Sequence, residues 1–75
     1  MAERIEVNPK ILAGQPVIKG TRIPVYLILE LLGAGYDFKR IMEAYPTLKE
    51  EDIKAAVEYA TKIVKNQEVI EYVVT

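Results

Sequence analysis

The side chains best placed to do chemistry are the basic residues Lys19, Arg22, Lys39, Arg40 and Lys49, supported by Arg4 and Lys10. Their chemistry is neutralisation of phosphate, because Lys and Arg are the groups that displace counterions from a nucleic-acid backbone. Catalysis has poorer material. The chain has 0 His and 0 Cys, so it lacks the commonest general base, a thiolate nucleophile and the soft metal ligands. Asp37, Glu43 and the cluster Glu50, Glu51 and Asp52 sit where helices begin or run, and capping and dipole interactions account for them. A carboxylate metal site at Glu50 to Asp52, as in a nuclease, is the weaker reading of that cluster. A phosphate loop needs Gly-Lys-Ser/Thr after a first glycine; here Lys19, Gly20 and Thr21 follow Gly14 in the wrong order. No enzyme, cofactor or metal is expected.

Bulk charge does not point to nucleic acid. The formal net charge is −1, and residues 1–48 carry six basic against five acidic side chains while residues 49–75 carry four against six. Any DNA face must therefore be assembled locally, from Lys19 and Arg22 on one turn and Lys39 and Arg40 on one helix. Glu50, Glu51 and Asp52 oppose it, since a recognition helix reads DNA with its first turns and acids there repel phosphate. Solvated surface charge is the plain alternative for each basic residue taken singly.

At 75 residues the chain is one domain near the lower limit of independent folding, and without disulfides or a structural metal oligomerisation is the remaining support. An apolar fraction of 51% excludes a disordered chain. The longest apolar run, residues 24–29, is far below the roughly 20 residues of a membrane span, and the amino terminus lacks a signal pattern. A soluble cytoplasmic protein is expected.

The elements that must position the basic residues follow from periodicity. Residues 4–7 alternate as a short half-buried strand, ended by Asn8-Pro9. Residues 17–18 and 21–23 are β-prone and flank Lys19-Gly20, a tight hairpin with Gly20 at positive φ. Pro24 suits the first position of a helix over residues 24–32, whose stripe is Val25, Ile28, Leu29 and Leu32. Tyr26, Leu27 and Leu31 make its other sides apolar, which predicts a dimer interface there. Gly33-Ala34-Gly35 ends it. Asp37 caps the second helix, with Tyr36 stapled to Ile41, and Phe38, Ile41, Met42 and Tyr45 form its stripe up to Pro46.

Thr47-Leu48-Lys49-Glu50 matches a capping box and predicts the start of a third helix running to about Asn66. Its face is Ile53, Ala56, Val57, Ala60, Ile63 and Val64, with Glu50–Lys54 and Glu58–Lys62 pairs outside. Tyr59, like Tyr26, suits a dimer or partner surface. Two helices joined by the tight connection 45–49 after a packing helix have the rhythm of a helix-turn-helix. The last stretch, Val69-Ile70-Glu71-Tyr72-Val73-Val74, reads as a β-prone tail, although a prolonged helix has a compatible composition. As a strand it needs a mate: residues 4–7 of its own or a neighbouring copy, or a different protein through β-augmentation.

The run Asn8-Pro9-Lys10-Ile11-Leu12-Ala13-Gly14-Gln15-Pro16-Val17-Ile18-Lys19-Gly20-Thr21-Arg22-Ile23-Pro24-Val25 carries a family resemblance. Together with Leu31-Leu32-Gly33-Ala34-Gly35, Tyr45-Pro46, Leu48, Glu51-Asp52-Ile53 and Ala55-Ala56, it resembles the small prokaryotic domain-of-unknown-function family numbered 433. The resemblance spans residues 5–60 and implies a mainly α fold: a three-helix, homeodomain-like helix-turn-helix core preceded by a short amino-terminal β element. It also implies a VapB-type antitoxin that represses its own operon and neutralises a PIN-like ribonuclease toxin. The family commonly has Thr where this chain has Lys49, so the capping role is expected to pass to Thr47.

The expected organisation is a single domain, 1–75, made of a β element (1–23), a helical core (24–66) and a tail (67–75). On this reading Lys19, Arg22, Lys39, Arg40 and Lys49 meet promoter DNA. Tyr26, Leu27 and Leu31 join a homodimer, and Val69, Ile70, Tyr72, Val73 and Val74 hold the toxin. The rival is a dimeric protein-binding adaptor that does not touch DNA.

Overall fold

The computed structural model describes residues 4–66, so the expected tail contacts at Val69, Ile70, Tyr72, Val73 and Val74 lie outside the described residues. Within them the chain forms β1 (Ile5–Glu6), β2 (Val17–Ile18) and three helices, α1 (Val25–Gly33), α2 (Phe38–Ala44) and α3 (Glu50–Lys65). The mainly helical fold with a small amino-terminal β element agrees with the expectation.

β1 and β2 pair antiparallel, with Ile5 opposite Ile18 and Glu6 opposite Val17. A two-stranded ribbon this short is not stable alone. It is held because Val17 and Ile18 are both buried, Ile18 as a member of the helical core. The regular partner of β2 is thus β1, whereas residues 21–23 return without forming a strand. They are tied back by the Ile18 N–H, which donates to the Ile23 carbonyl at 3.0 Å, and by a bridge between Val17 and Pro24. The tight reversal itself is as expected: the Thr21 N–H donates to the Ile18 carbonyl at 2.9 Å, with Gly20 at φ 82°. The connection from β1 contains a left-handed turn in which Leu12, Ala13 and Gly14 have φ of 49°, 58° and 84°.

Pro24 is the residue before α1, in extended conformation, one place earlier than expected, while the Val25 N–H donates to the Pro16 carbonyl at 2.9 Å. α1 ends as its glycines require. Gly35, at φ 100°, allows its N–H to reach the Leu32 carbonyl and the Tyr36 N–H to reach that of Leu31, both at 3.0 Å. The carboxylate of Asp37 then accepts the Arg40 N–H at 2.9 Å and caps α2. The core is Ile18, Val25, Ile28, Ile41, Leu48, Ile53 and Ala56, with Tyr36, Phe38, Met42 and Tyr45 packed on its margin. Each large aliphatic chain there contributes about 1.5–3 kcal/mol.

Two expectations for α3 are corrected. The helix starts at Glu50, so Thr47 is not its cap; Leu48 is instead buried in the core, inside the turn. The N-cap is Lys49, whose ammonium offers no acceptor, and the Lys49 N–H is met by the Asp52 carboxylate at 2.9 Å. Half of a capping box is therefore present, two residues later than the Thr47–Glu50 pattern indicates. The second correction concerns the buried face. Ile53 and Ala56 are buried, but Val57, Ile63 and Val64 are 38%, 45% and 70% exposed. At about 1.5 Å per residue, the 16 residues of α3 run well past the 9 of α1. The apolar stripe continues beyond the body that covers it.

The cap assignment has a direct test in thermal melting. Thr47→Ala shifts stability by less than about 0.5 kcal/mol, whereas Lys49→Ser adds about 0.5–1 kcal/mol by supplying the missing acceptor. A loss above about 1 kcal/mol in Thr47→Ala would return the cap to Thr47.

Candidate nucleic-acid interface

The site is built outward from Asp52, the buried charged residue of α3. A carboxylate removed from water must be matched by donors. Asp52 has two. Its Oδ1 accepts from the Arg4 guanidinium at 2.7 Å, and its Oδ2 accepts the Lys49 N–H. The first turn of a helix also favours a negative charge, so three separate interactions hold this carboxylate.

Arg4 extends the connection to the basic turn. Its carbonyl accepts the Lys19 N–H at 2.8 Å, so the residue that grips α3 with its side chain grips the 18–21 reversal with its backbone. Thr21 fixes the reversal from within: its hydroxyl donates to the Ile18 carbonyl at 2.7 Å and accepts the Ile23 N–H at 3.0 Å. Lys19 and Arg22 are exposed on this locked loop. Lys49, also exposed, stands at the opening of α3, and its N–H is bonded to the carboxylate that Arg4 holds. Lys19, Arg4 and Lys49 are thereby linked through one hydrogen-bonded chain. With 44% of its side chain exposed, Arg4 keeps guanidinium N–H groups for an anion while bonded to Asp52.

Lys39 and Arg40 are exposed on the first turn of α2 and, among the described residues, make no hydrogen bond to the basic turn. Arg40 lies 4.1 Å over the ring of Tyr36, which restricts its guanidinium while its N–H groups, at the edge of the guanidinium plane, can still donate to an oxyanion. Tyr26 is 52% exposed on α1, Leu27 is half-buried and Leu31 packs on the core margin.

The three acids at the start of α3 are not equivalent. Asp52 faces inward and is paired with Arg4, so it does not oppose phosphate as the bare sequence indicates. Glu50 is 3.4 Å from Lys54, and both are exposed. Glu51 remains an exposed acid. Among the described residues no three His, Cys, Asp or Glu side chains converge on a common cation position. No helix there is long and apolar enough to cross a membrane. The anchoring role of Asp52 has no signature in the sequence beyond the local spacing Lys49-x-x-Asp52.

Comparison with known proteins places this architecture. Residues 5–60 match the family model described as "Protein of unknown function (DUF433)", and the chain belongs to this family. It is 43% identical over 58 residues to "Uncharacterized protein y4eO" of Sinorhizobium fredii (strain NBRC 101917 / NGR234), a match covering 77% of this chain and 26% of that protein. It is also similar to the crystal structure of a DUF433 member from Anabaena variabilis ATCC 29413, with a TM-score of 0.77 and 32% identity. That match covers 83% of this chain and 61% of the other. The chain thus spans about a quarter of the curated relative it matches.

The Arg4–Asp52 anchor predicts a measurable loss. Arg4→Met leaves a buried acceptor unmatched and lowers unfolding free energy in urea by about 1–3 kcal/mol; Arg4→Lys recovers part of it. A loss below about 0.5 kcal/mol would show that the pair does not hold the turn to α3.

Proposed function

We propose that this domain is the DNA-binding part of an antitoxin-like regulator, acting without catalysis of its own. Two copies bind a pseudo-palindromic site in their own promoter, with half-sites about one helical turn, roughly 34 Å, apart. Residues 67–75 hold and block a PIN-like ribonuclease. The observation that carries the DNA part is the Arg4–Asp52 pair, which withdraws one acid from the opening of α3 and fastens the Lys19–Arg22 turn beside it. The α2–α3 connection, with Leu48 buried inside it, supports the helix-turn-helix reading. The toxin part rests on the family resemblance and the β-prone composition of Val69 to Val74.

A second reading, a protein-binding adaptor without DNA contact, is favoured by the exposed apolar stripe at Ile63 and Val64 and by Glu50 and Glu51 on the surface. The two readings diverge in a binding titration. The regulator binds its upstream DNA more tightly than a scrambled duplex at physiological salt. Lys39→Glu with Arg40→Glu then lowers the affinity and reduces the slope of log K against log salt by roughly 1–2. Equal affinity for both duplexes, or a slope unchanged by the reversal, favours the adaptor.

A further inference from the structure

The carboxyl-terminal half of α3 borders an apolar groove that it shares with β1. Ile5 lines it from β1, and Ala55, Tyr59 and Ile63 line it from α3, together with Asn66, the last described residue. These α3 positions follow one another at spacings of three and four residues, so they form one face of the helix. At about 1.5 Å per residue that face extends roughly 16 Å, from Asn66 back to Ala55. Ile63 is still 45% exposed on it. The groove on the other side of α3, against α1, is lined by Tyr26, Leu29 and Val64 and does not reach Asn66.

A cover for the β1-side groove is attached to one end of it. The chain continues from Asn66 into residues 67–75, which lie outside the described residues. Residues 69–74 hold five apolar side chains and a single charge, Glu71. In extended form side chains alternate between two faces at about 3.3 Å per residue, which puts Ile70, Tyr72 and Val74 together over roughly 13 Å and leaves Glu71 on the opposite face. That wholly apolar face fits within the length of the groove. A short tether also holds its segment at an effective concentration on the order of millimolar, an advantage that a separate molecule lacks.

We infer that residues 69–74 seat in the β1-side groove of their own chain, in extended form and running back along α3, with Gln67 and Glu68 making the reversal and Ile70, Tyr72 and Val74 facing the groove. The inference goes beyond the proposed function and does not rest on it. A protein that captures this segment has first to displace it from the groove.

Acrylamide quenching of the full chain tests it, because the sequence has no tryptophan and a single one can be introduced as a probe. Circular dichroism confirms that each variant is folded. The probe in Tyr72→Trp is quenched roughly threefold more slowly than the probe in Glu71→Trp, since alternate residues face opposite ways. Adding Ile63→Glu to Tyr72→Trp removes the difference, whereas adding Val64→Glu, in the α1-side groove, preserves it. The protection survives about a hundredfold dilution, as an intramolecular contact does. Equal quenching of the two probes overturns the inference, and so does protection that is indifferent to Ile63→Glu or is lost on Val64→Glu. Protection that fades on dilution also overturns it, by placing the segment on a second copy. Promoter binding is decided separately, by the duplex titration.

Discussion

The burial of one carboxylate organises this domain. Asp52 lies inside the first turn of α3, and a buried charge that lost its donors would cost several kcal/mol. Its two donors come from different distances along the chain: Lys49 is local, and Arg4 is 48 residues away. The local bond starts the helix; the remote one closes the β element onto it. Because Arg4 also accepts the Lys19 N–H, the position of the exposed basic turn relative to α3 follows from where Asp52 is satisfied. The hydrophobic core brings these elements together without specifying that alignment, since apolar burial is not directional.

Length is the second constraint. α1 and α2 are short, and the residues that end them (Gly35 at positive φ, Pro46 after Tyr45) stop them where the core is covered. Between Glu50 and Asn66 the sequence has neither glycine nor proline. The apolar residues of α3 keep their spacing past the closed core, so one stripe serves two purposes: Ile53 and Ala56 are buried in the core, and Ile63 and Val64 stay exposed along a groove beside α1. The same period continues through both, which is why the sequence reads as one buried face.

This explains what was legible in the residues. The stripes of α1 and α2, the glycine-terminated end of α1, the Asp37 cap and the Gly20 reversal all depend on neighbours within about five residues, and each is readable from them. Thr47 misled because a capping box is a spacing rule, and Thr47–Glu50 satisfies it as well as Lys49–Asp52 does in reverse roles; burial of Leu48 decided between them. The Arg4–Asp52 pair has no local signature. Nor do the positive φ values of Leu12 and Ala13, residue types that give no hint of a left-handed backbone. Of the basic residues assigned to one face, Lys19 and Lys49 are connected through shared bonds while Lys39 and Arg40 are held on α2, a division visible only in three dimensions.

The 48-residue span between Arg4 and Asp52 also sets an order of assembly. Helix–helix contacts along 25–65 close shorter loops, and loop-closure entropy makes the remote docking of the β element the later and more easily reversed event. Partial opening of this domain therefore begins at its amino-terminal edge, releasing the basic turn while the helices remain packed. Surface charge geometry is in this sense a reporter of complete folding: a chain with intact helices and an undocked edge has the same composition and helix content but no longer has the Lys19 turn tied through Arg4 to Asp52.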